Sequence, residues 1–340
     1  MFKQNQFHSW LILVIILNLL IGCRKDETVG IRESQPITRV PVEIETIEEN
    51  KELTPEENQE KDLKETCFGK NRNSSITFIK TNNLGERYEK GINHVIIFNP
   101  KSDELDFKVN VGLSHKIYSK TNNGKIKKEY VPKLFYELVN EENAKLNGRL
   151  PLAAINADYI DTENKPQGLN ISRGVEYSGA FKNKRSSFGI SGGKPSQRKA
   201  TIKVGRRNSE SLNYNVVGGN GRFYINGKFK DICRALGELA CKGAINRSMA
   251  AITNKGYVIL LVNDAKANSS IEISSSNREL LPHMFDDVLE GIAQNNCLGK
   301  IQEGMLFDGG MSPGLYYNNK VYLENLGPIG SVFLIYRRNS

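Results

Sequence analysis

The sequence predicts an α+β protein: a single folded domain of mixed or antiparallel sheets with a few packed helices. Short apolar runs bounded by turn residues recur from about residue 90 onward, which is typical of strands. Two stretches with apolar side chains at helical spacing lie among these runs. The 340 residues are 25% charged and 39% hydrophobic, which excludes a coiled coil and a multi-span membrane protein.

Seven short apolar runs predict buried strands. In chain order they are Val95–Phe98, Leu105–Val111, Leu152–Ile155, Ser248–Ile252, Gly256–Asn263, Met305–Phe307 and Ser331–Tyr336. The run that ends at Asn263 is continuously apolar, so we expect it to be central in its sheet. Residues 167–228 are dense in Gly and Ser, as in antiparallel hairpins, and Asn226-Gly227 predicts a tight hairpin turn.

Helices are predicted in three places. Residues Pro132–Ala144 carry apolar side chains on one face, and Asp231–Ala240 form a short segment with a cysteine near each end. The clearest helix runs to Ala293, with Ser276 or Asn277 as its cap and Pro282 in its first turn.

The first 22 residues are predicted to be a bacterial lipoprotein signal peptide. Lys3 precedes an apolar run of 12 residues, Trp10–Ile21, which is too short to span a bilayer. The run leads into Leu20-Ile21-Gly22-Cys23, which resembles a lipobox, where the cysteine is acylated. We therefore expect Cys23 to anchor the chain to the cell envelope, at the periplasmic face or the cell surface. An ordinary signal peptide that contains a cysteine is the alternative.

Residues 23–66 are predicted to be the lipidated cysteine followed by a disordered acidic tether. Residues 24–66 lack aromatic side chains and apolar periodicity, and hold 13 acidic against 7 basic residues. The folded domain is therefore expected over residues 67–340. That segment carries a net charge of +14, although the whole chain carries +9, because the tether is acidic.

The basic charge of the folded domain predicts attraction to anions. The sequence contains no helix-turn-helix, zinc-finger or RNP-like segment. Lys and Arg are scattered through turns such as 116–128 and 182–207 with little aromatic interleaving, which is typical of a solvated basic surface. We expect an anionic glycan or a sugar phosphate as partner, with no nucleic acid.

Cysteine usage agrees with an exported domain. Four cysteines follow Cys23, which permits two disulfides in three possible connectivities. Cys233 with Cys241 is the local option, and Cys67 with Cys297 would then join the start of the domain to its end. The histidines after the signal peptide lack metal-ligand spacing, so we expect no metal and no cofactor.

Three segments place polar residues and glycine at the end of a buried strand: Asn156–Tyr159, Asn246–Ser248 and Asp308–Ser312. A rigid sheet can direct such side chains into a cleft. The glycines after Asp308 permit close approach of a ligand and expose amide donors. A strand-terminating Asp-Gly turn without chemistry is the alternative explanation.

Two glycine-rich motifs do not have the context that their usual functions need. Gly310–Gly314 fits the G-x-S-x-G pattern, but no histidine follows Ser312 and Pro313 stands where a helix should begin. An α/β-hydrolase is therefore excluded. Gly218–Arg222 is followed by a strand pattern rather than a helix, which argues against a dinucleotide site.

The three polar segments, in this order, resemble the phosphodiester glycosidase family. The resemblance covers about residues 90–338. It adds a glycine-rich stretch that leads to an x-Gly-Lys turn over Gly218–Lys228, an Arg-Ser pair at Arg247-Ser248, and Asp-Gly-Gly-x-Ser at Asp308–Ser312. Two departures are Ala157-Asp158, where the family has a glycine-rich pair, and Met311, where a small residue is usual.

The resemblance implies hydrolysis of a sugar 1-phosphodiester, similar to a GlcNAc-1-phosphodiester, at the glycosidic bond. By this analogy the catalytic group comprises Asp308 as carboxyl, Arg247 as phosphate clamp and Asn156 as an orienting amide. The implied substrate-binding residues are Gly309, Gly310, Ser312, Ser248 and Asp158. Asp158 and Asp264 are the candidates for a second carboxylate. One alternative is a non-catalytic glycan-binding lipoprotein on the same scaffold, and another is a structural surface lipoprotein whose basic face contacts anionic polysaccharide.

Overall fold

A computed structural model describes residues 67–70, 74–114, 129–145, 150–181, 185–236, 241–242, 245–265, 278–324 and 326–338. By internal contacts the chain divides into two units, Met1–Glu52 and Leu53–Ser340, and all described residues belong to the second. The predicted signal peptide, Cys23, the tether and the proposed helix caps Ser276 and Asn277 lie outside the described residues.

The described residues are richer in β-structure than the predicted α+β class. They form 17 strands: β1 (Ile76–Thr81), β2 (Asn93–Phe98), β3 (Leu105–Val111), β4 (Ala153–Asn156), β5 (Asn170–Ser172), β6 (Val175–Ser178), β7 (Ser186–Ile190), β8 (Ala200–Val204), β9 (Asn215–Gly218), β10 (Arg222–Ile225), β11 (Lys228–Phe229), β12 (Arg247–Thr253), β13 (Val258–Asn263), β14 (Ile301–Leu306), β15 (Leu315–Tyr317), β16 (Lys320–Leu323) and β17 (Ser331–Arg337). The helices are α1 (Phe135–Lys145), α2 (Cys233–Leu236) and α3 (Phe285–Asn295), with 3-10 turns at Phe68–Lys70, Pro195–Gln197 and Pro282–Met284.

These strands form three antiparallel sheets. The seven-stranded sheet has the order β1-β2-β13-β12-β14-β10-β11. The second sheet has the order β16-β15-β4-β17-β3, and the third sheet has the order β6-β5-β9-β7-β8. Every strand pair within them is antiparallel. No helix of the described residues combines the length and apolarity needed to cross a membrane.

The interior strands of the seven-stranded sheet are buried on both faces. Along β13, Leu260 belongs to the core shared with the other two sheets, whereas its neighbour Ile259 faces the core under α3. This alternation follows from the two-residue period of a strand. It confirms the expectation that the continuously apolar run is central, because β13 lies between β2 and β12.

The long C-terminal helix begins later than the sequence predicted. Pro282 lies in a 3-10 turn, and α3 starts at Phe285. The residue before the proline, Leu281, is extended with φ −77° and ψ 154°, because proline disfavours a helical conformation in its predecessor. The apolar stripe of α3 is buried as predicted.

Tight turns fall where the sequence placed them. Asn226 and Gly227 both have positive φ, 52° and 75°, and join β10 to β11. Positive φ at both central residues is the geometry of a two-residue hairpin turn, and Asn-Gly is its preferred sequence. The hairpin of β12 and β13 is also confirmed, with Arg247 opposite Asn263.

The structure selects one of the three disulfide connectivities. Cys67 pairs with Cys297, with Cα atoms 5.6 Å apart, and Cys233 pairs with Cys241, with Cα atoms 4.8 Å apart. Gly69 packs tightly beside the first bridge, since its N–H donates to Asn296 O at 2.8 Å. The start of the domain is thereby tied to the end of α3.

The two disulfides are expected to differ in their contribution to stability. They close segments of 230 and 8 residues, respectively. By the chain-entropy relation, Cys67→Ser/Cys297→Ser should lower the free energy of unfolding by about 3 kcal/mol more than Cys233→Ser/Cys241→Ser. Urea unfolding of both double variants beside the wild type measures this. An equal or larger loss from the local pair would contradict the expectation.

Candidate functional site

The three polar segments picked out in the sequence meet at one place in the structure. Phe307 N donates to Ser248 O at 2.8 Å, and Asp308 N donates to Ala157 O at 2.8 Å. Gly310 N donates to Asn246 O at 2.9 Å. The ends of β4 and β14 and the start of β12 are therefore joined through the backbone of the Asp308 loop.

The side chain of Asn156 holds the Asp308 loop in place through two hydrogen bonds. The side chain is fully buried; its Nδ2 donates to Asp308 O at 2.8 Å, and its Oδ1 accepts from Gly314 N at 3.1 Å. Both ends of the amide are thus engaged with the backbone on either side of the loop. In this structure Asn156 fixes the position of Asp308, and its predicted contact with a substrate stays a prediction.

The carboxyl group of Asp158 is fully buried between the second and third sheets. Its Oδ2 accepts from Gly168 N at 2.8 Å and from Asn170 Nδ2 at 2.5 Å, and its Oδ1 accepts from Tyr159 N at 2.8 Å. Gly218 packs against it so closely that a Cβ there would lie 2.5 Å from Oδ2. Burial raises the pKa of Asp158 to about 7, although the three hydrogen bonds favour the ionised form and lower the pKa.

Asp308 is the second carboxyl group of the site. Burial raises its pKa to about 6, while hydrogen bonds from the Ser312 side chain and the Gly309 backbone, and the charge of Arg185, lower it. The charge of Asp308 also raises the pKa of Asp158. Two carboxyl groups of raised pKa therefore lie within electrostatic reach of each other, an arrangement that is common where proton transfer occurs.

Arg185 and Tyr159 lie within electrostatic reach of Asp308, and Asn220 contacts Tyr159; residue patterns alone did not assign these three a role. The guanidinium of Arg185 lies 4.8 Å from the centroid of the Tyr159 ring. Asn220 Nδ2 donates to Tyr159 Oη at 2.8 Å. Burial, and then the charge of Asp308, raise the pKa of Tyr159, which keeps its hydroxyl protonated. Arg185 follows the lysines of a basic run, and the sequence of such a run does not distinguish a site residue from a solvated surface residue.

Arg247 is 3% exposed, although it is an arginine. Its Nε donates to Leu280 O at 3.0 Å, and its guanidinium lies 5.9 Å from the centroid of the Phe285 ring. Within the part of the chain that the structure describes, its buried Nη2 has no hydrogen-bond acceptor. Burial lowers its pKa to about 10, while the nearby Tyr159 raises it, so the group remains charged at neutral pH.

The neighbouring Ser248 is fully buried, and its Oγ likewise has no partner among the described residues. An unsatisfied buried guanidinium nitrogen and hydroxyl are both costly, and consecutive positions on β12 carry them. Consecutive side chains of a strand face opposite sides of the sheet, so these two groups do not belong to one binding place.

The remaining predicted site residues lie in the same loop or at its margin. The Gly310 and Gly309 amides donate to Asn246 O and to the Asp308 carboxyl group, respectively, so both donors are engaged within the protein. Met311 is 65% exposed beside them. Asp264 faces Arg278 at 3.8 Å. Among the described residues, no three His, Cys, Asp or Glu side chains are grouped to hold a metal ion.

A family model for phosphodiester glycosidases matches residues 151–336. The match covers more than half of the chain and contains the segments that meet at the site. The chain therefore belongs to the phosphodiester glycosidase family. No curated protein matches the chain.

Several solved structures resemble this chain in part, including the following two. A hypothetical protein from Synechocystis is 11% identical with a TM-score of 0.49, and the alignment covers 78% of this chain and 62% of that one. The catalytic domain of zebrafish N-acetylglucosamine-1-phosphodiester alpha-N-acetylglucosaminidase, auto-inhibited by its pro-peptide, is 12% identical with a TM-score of 0.45. That alignment covers 78% of this chain and 89% of the zebrafish domain. This chain thus spans less than two thirds of the Synechocystis protein.

The buried Asp158 makes stability depend on pH in a defined direction. Its pKa rises from 3.8 to about 7 on folding, so between these values the folded protein holds a proton that the unfolded chain has released. Its contribution to stability is therefore present at low pH and is lost as pH rises through 7. Asp158→Asn should remove this loss, as measured by urea unfolding between pH 4.5 and 8.

The comparison of Asp158→Asn with the wild type also accounts for the other titratable groups that make stability depend on pH. His94, whose pKa burial lowers to about 4, contributes the opposite slope in both proteins and cancels. Asp287→Asn, on the exposed side of α3, should retain the wild-type slope. The expectation fails if Asp158→Asn and the wild type lose stability equally steeply between pH 4.5 and 8.

Proposed function

We propose that this protein hydrolyses sugar 1-phosphodiesters at the glycosidic bond. The observation that carries the proposal is the pair of electrostatically coupled carboxyl groups, Asp158 and Asp308, of raised pKa, beside an arginine. Membership of the phosphodiester glycosidase family supports the reaction class. The preferred sugar in the proposal is GlcNAc, as the sequence resemblance implied.

Asp308 is the catalytic carboxyl group in this proposal. Water adds to the anomeric carbon, the bond from that carbon to the phosphate oxygen breaks, and the phosphate leaves as a monoester. A phosphate monoester leaves readily as an anion, so strong general-acid assistance is not needed. The ionised Asp308 takes the proton from the attacking water, a role for which a pKa of about 6 is suited near neutral pH.

Asp158 acts on the reaction through its neighbours in this proposal. Its oxygens are occupied by three N–H donors and it is fully buried, which leaves no surface for a substrate. It fixes Gly168 and Asn170 in place, and its charge helps to raise the pKa of Tyr159 beside Asp308. We therefore propose a positioning role for Asp158 rather than the substrate contact expected from the sequence.

The phosphate of the substrate is the ligand proposed for Arg247. Its Nη2 is buried without a partner among the described residues, and a phosphate oxygen is a strong acceptor for it. A charge-assisted hydrogen bond of this kind contributes about 1.5–3 kcal/mol. Ser248, the next residue of β12, faces the opposite side of the sheet and is fully buried, so it is not assigned to the phosphate. Arg185 supplies a second cation on the side of Asp308.

The place of action is proposed from the N-terminal sequence. A short apolar run that ends at Gly22-Cys23 supports export and acylation of Cys23. The two disulfides of the domain support an oxidising compartment. A lipid-anchored enzyme facing the periplasm or the exterior would meet glycans of the cell envelope.

Removal of the Asp308 carboxyl group is expected to abolish turnover. With a GlcNAc-1-phosphodiester as substrate, Asp308→Asn should lower kcat/KM by about 10²-fold or more, because proton transfer to the carboxylate is lost. Arg247→Ala should act mainly on binding of the phosphate and raise KM. Release of the free sugar and the phosphate monoester, followed by NMR, measures both effects with the full chain.

The matched control is Asp287→Asn, which removes an exposed carboxyl group on α3 and should retain wild-type rates. Circular dichroism establishes that each variant is folded. Full activity of Asp308→Asn would refute its catalytic role. If a panel of sugar 1-phosphodiesters is bound but none is hydrolysed by the wild type, the protein is the non-catalytic glycan binder instead.

A further inference from the structure

A cleft of about 470 Å³ lies at the end of the third sheet that is remote from Asp308. It is lined by Arg173, Lys194, Arg198, Arg338, Tyr214 and Asp106, among others. The strand β9 connects the two places, since Asn215 at its start lines the cleft and Gly218 at its end packs against Asp158. Asn215 and Gly218 are three positions apart on this strand, so the cleft and Asp158 are separated by about 10 Å of strand.

The cleft is strongly basic. Four cationic side chains and one carboxylate line it, and that carboxylate, Asp106, is paired with Arg173 at 2.5 Å. Lys194 and Arg338 are exposed. A concave surface with this excess of positive charge concentrates anions, and the volume matches that of ordinary ligand sites, about 300–1,000 Å³.

Arg198 forms a preorganised wall of the cleft. It is 8% exposed, and its Nη1 donates to Leu105 O at 2.7 Å and to Ser102 O at 3.3 Å, which fixes the guanidinium. Its other two nitrogens have no acceptor within the described part of the chain. Burial lowers the pKa of Arg198, the charge of Asp106 raises it and the charge of Arg338 lowers it, so both cations and the carboxylate of Asp106 act on the same space.

Tyr214 adds an aromatic surface to these charges. Its side chain is 36% exposed and lines the cleft. The backbone of Gly192 lies directly against the ring, since a Cβ at that position would be 3.0 Å from two ring atoms. A rigid aromatic ring with cations around it fits the apolar C–H face of a sugar that carries an anionic group.

A second cleft, of about 720 Å³, continues the same surface. It shares Arg198 with the first and is lined also by Lys101, Lys199, Lys203 and Lys255. Its two carboxylates, Glu210 and Glu303, leave an excess of positive charge. Two adjoining basic clefts extend the surface beyond one sugar unit and favour a polymer as ligand.

We propose that these two clefts bind an anionic polysaccharide, whose sugar rings pack on Tyr214 and whose carboxylate or phosphate groups contact Arg198, Lys194 and Arg338. This site lies apart from the Asp308 site and does not depend on the proposed reaction. It would hold the protein on a charged glycan while the catalytic site acts on its own substrate.

The test uses the full chain and two charged glycans, polygalacturonate for carboxylate and phosphomannan for phosphate. Isothermal titration calorimetry measures binding by the wild type and by Lys194→Ala/Arg338→Ala, which should bind about tenfold or more weakly because two charge-assisted contacts are lost. The matched control, Lys90→Ala/Lys165→Ala, removes two exposed charges that line neither cleft and should bind as the wild type does.

Further ligands and variants separate this proposal from simple charge attraction. Tyr214→Ala should weaken binding of both glycans and leave inorganic polyphosphate unaffected, while neutral dextran should not bind. Asp308→Asn should bind the glycans normally, even if the proposed reaction is wrong. Equal weakening by the control pair, loss of binding in Asp308→Asn, or tighter binding to single-stranded DNA than to either glycan would overturn the proposal.

Discussion

The buried carboxyl group of Asp158 is the interaction on which the candidate site depends. Asp158 follows β4 of the second sheet. Its carboxyl group accepts hydrogen bonds from Asn170, on β5 of the third sheet, and from Gly168, in the loop before β5. Its own backbone oxygen accepts from Gly330 N at 2.8 Å. These hydrogen bonds join the segment after β4 to the third sheet and to the segment before β17, so this single residue fixes the junction of two sheets.

This arrangement has an electrostatic cost, which the proposed reaction would use. Burial opposes ionisation of Asp158 more strongly than its three hydrogen bonds favour it, and Asp308 adds a second negative charge nearby. Stability and chemistry are therefore in conflict here, as is usual for preorganised sites. The conflict is tolerable because the Asp308 loop is also held by hydrogen bonds that do not depend on protonation, such as that from the Asn156 side-chain amide to Asp308 O.

Local patterns in the sequence predicted the central strands, the Asn226-Gly227 hairpin and the strand-end loop of Asp308, because periodicity and turn chemistry act over a few residues. Features that depend on contacts between distant segments were missed. Arg185 lies in a basic run that resembles any solvated surface, and its relation to Asp308 exists only in the folded chain. Asn170 sits on a three-residue strand with no distinguishing neighbours. The late start of α3 came from the effect of Pro282 on its predecessor, which outweighed the apolar pattern upstream.

The bridge between Cys67 and Cys297 has a mechanical consequence. A pull applied to the chain at residue 67 would otherwise peel β1, an edge strand, away from β2 one hydrogen bond after another. Because the disulfide passes the load to the end of α3, the force enters the domain through a helix packed on the centre of the seven-stranded sheet. A force applied at the N-terminal side of the domain therefore does not separate β1 from β2 step by step.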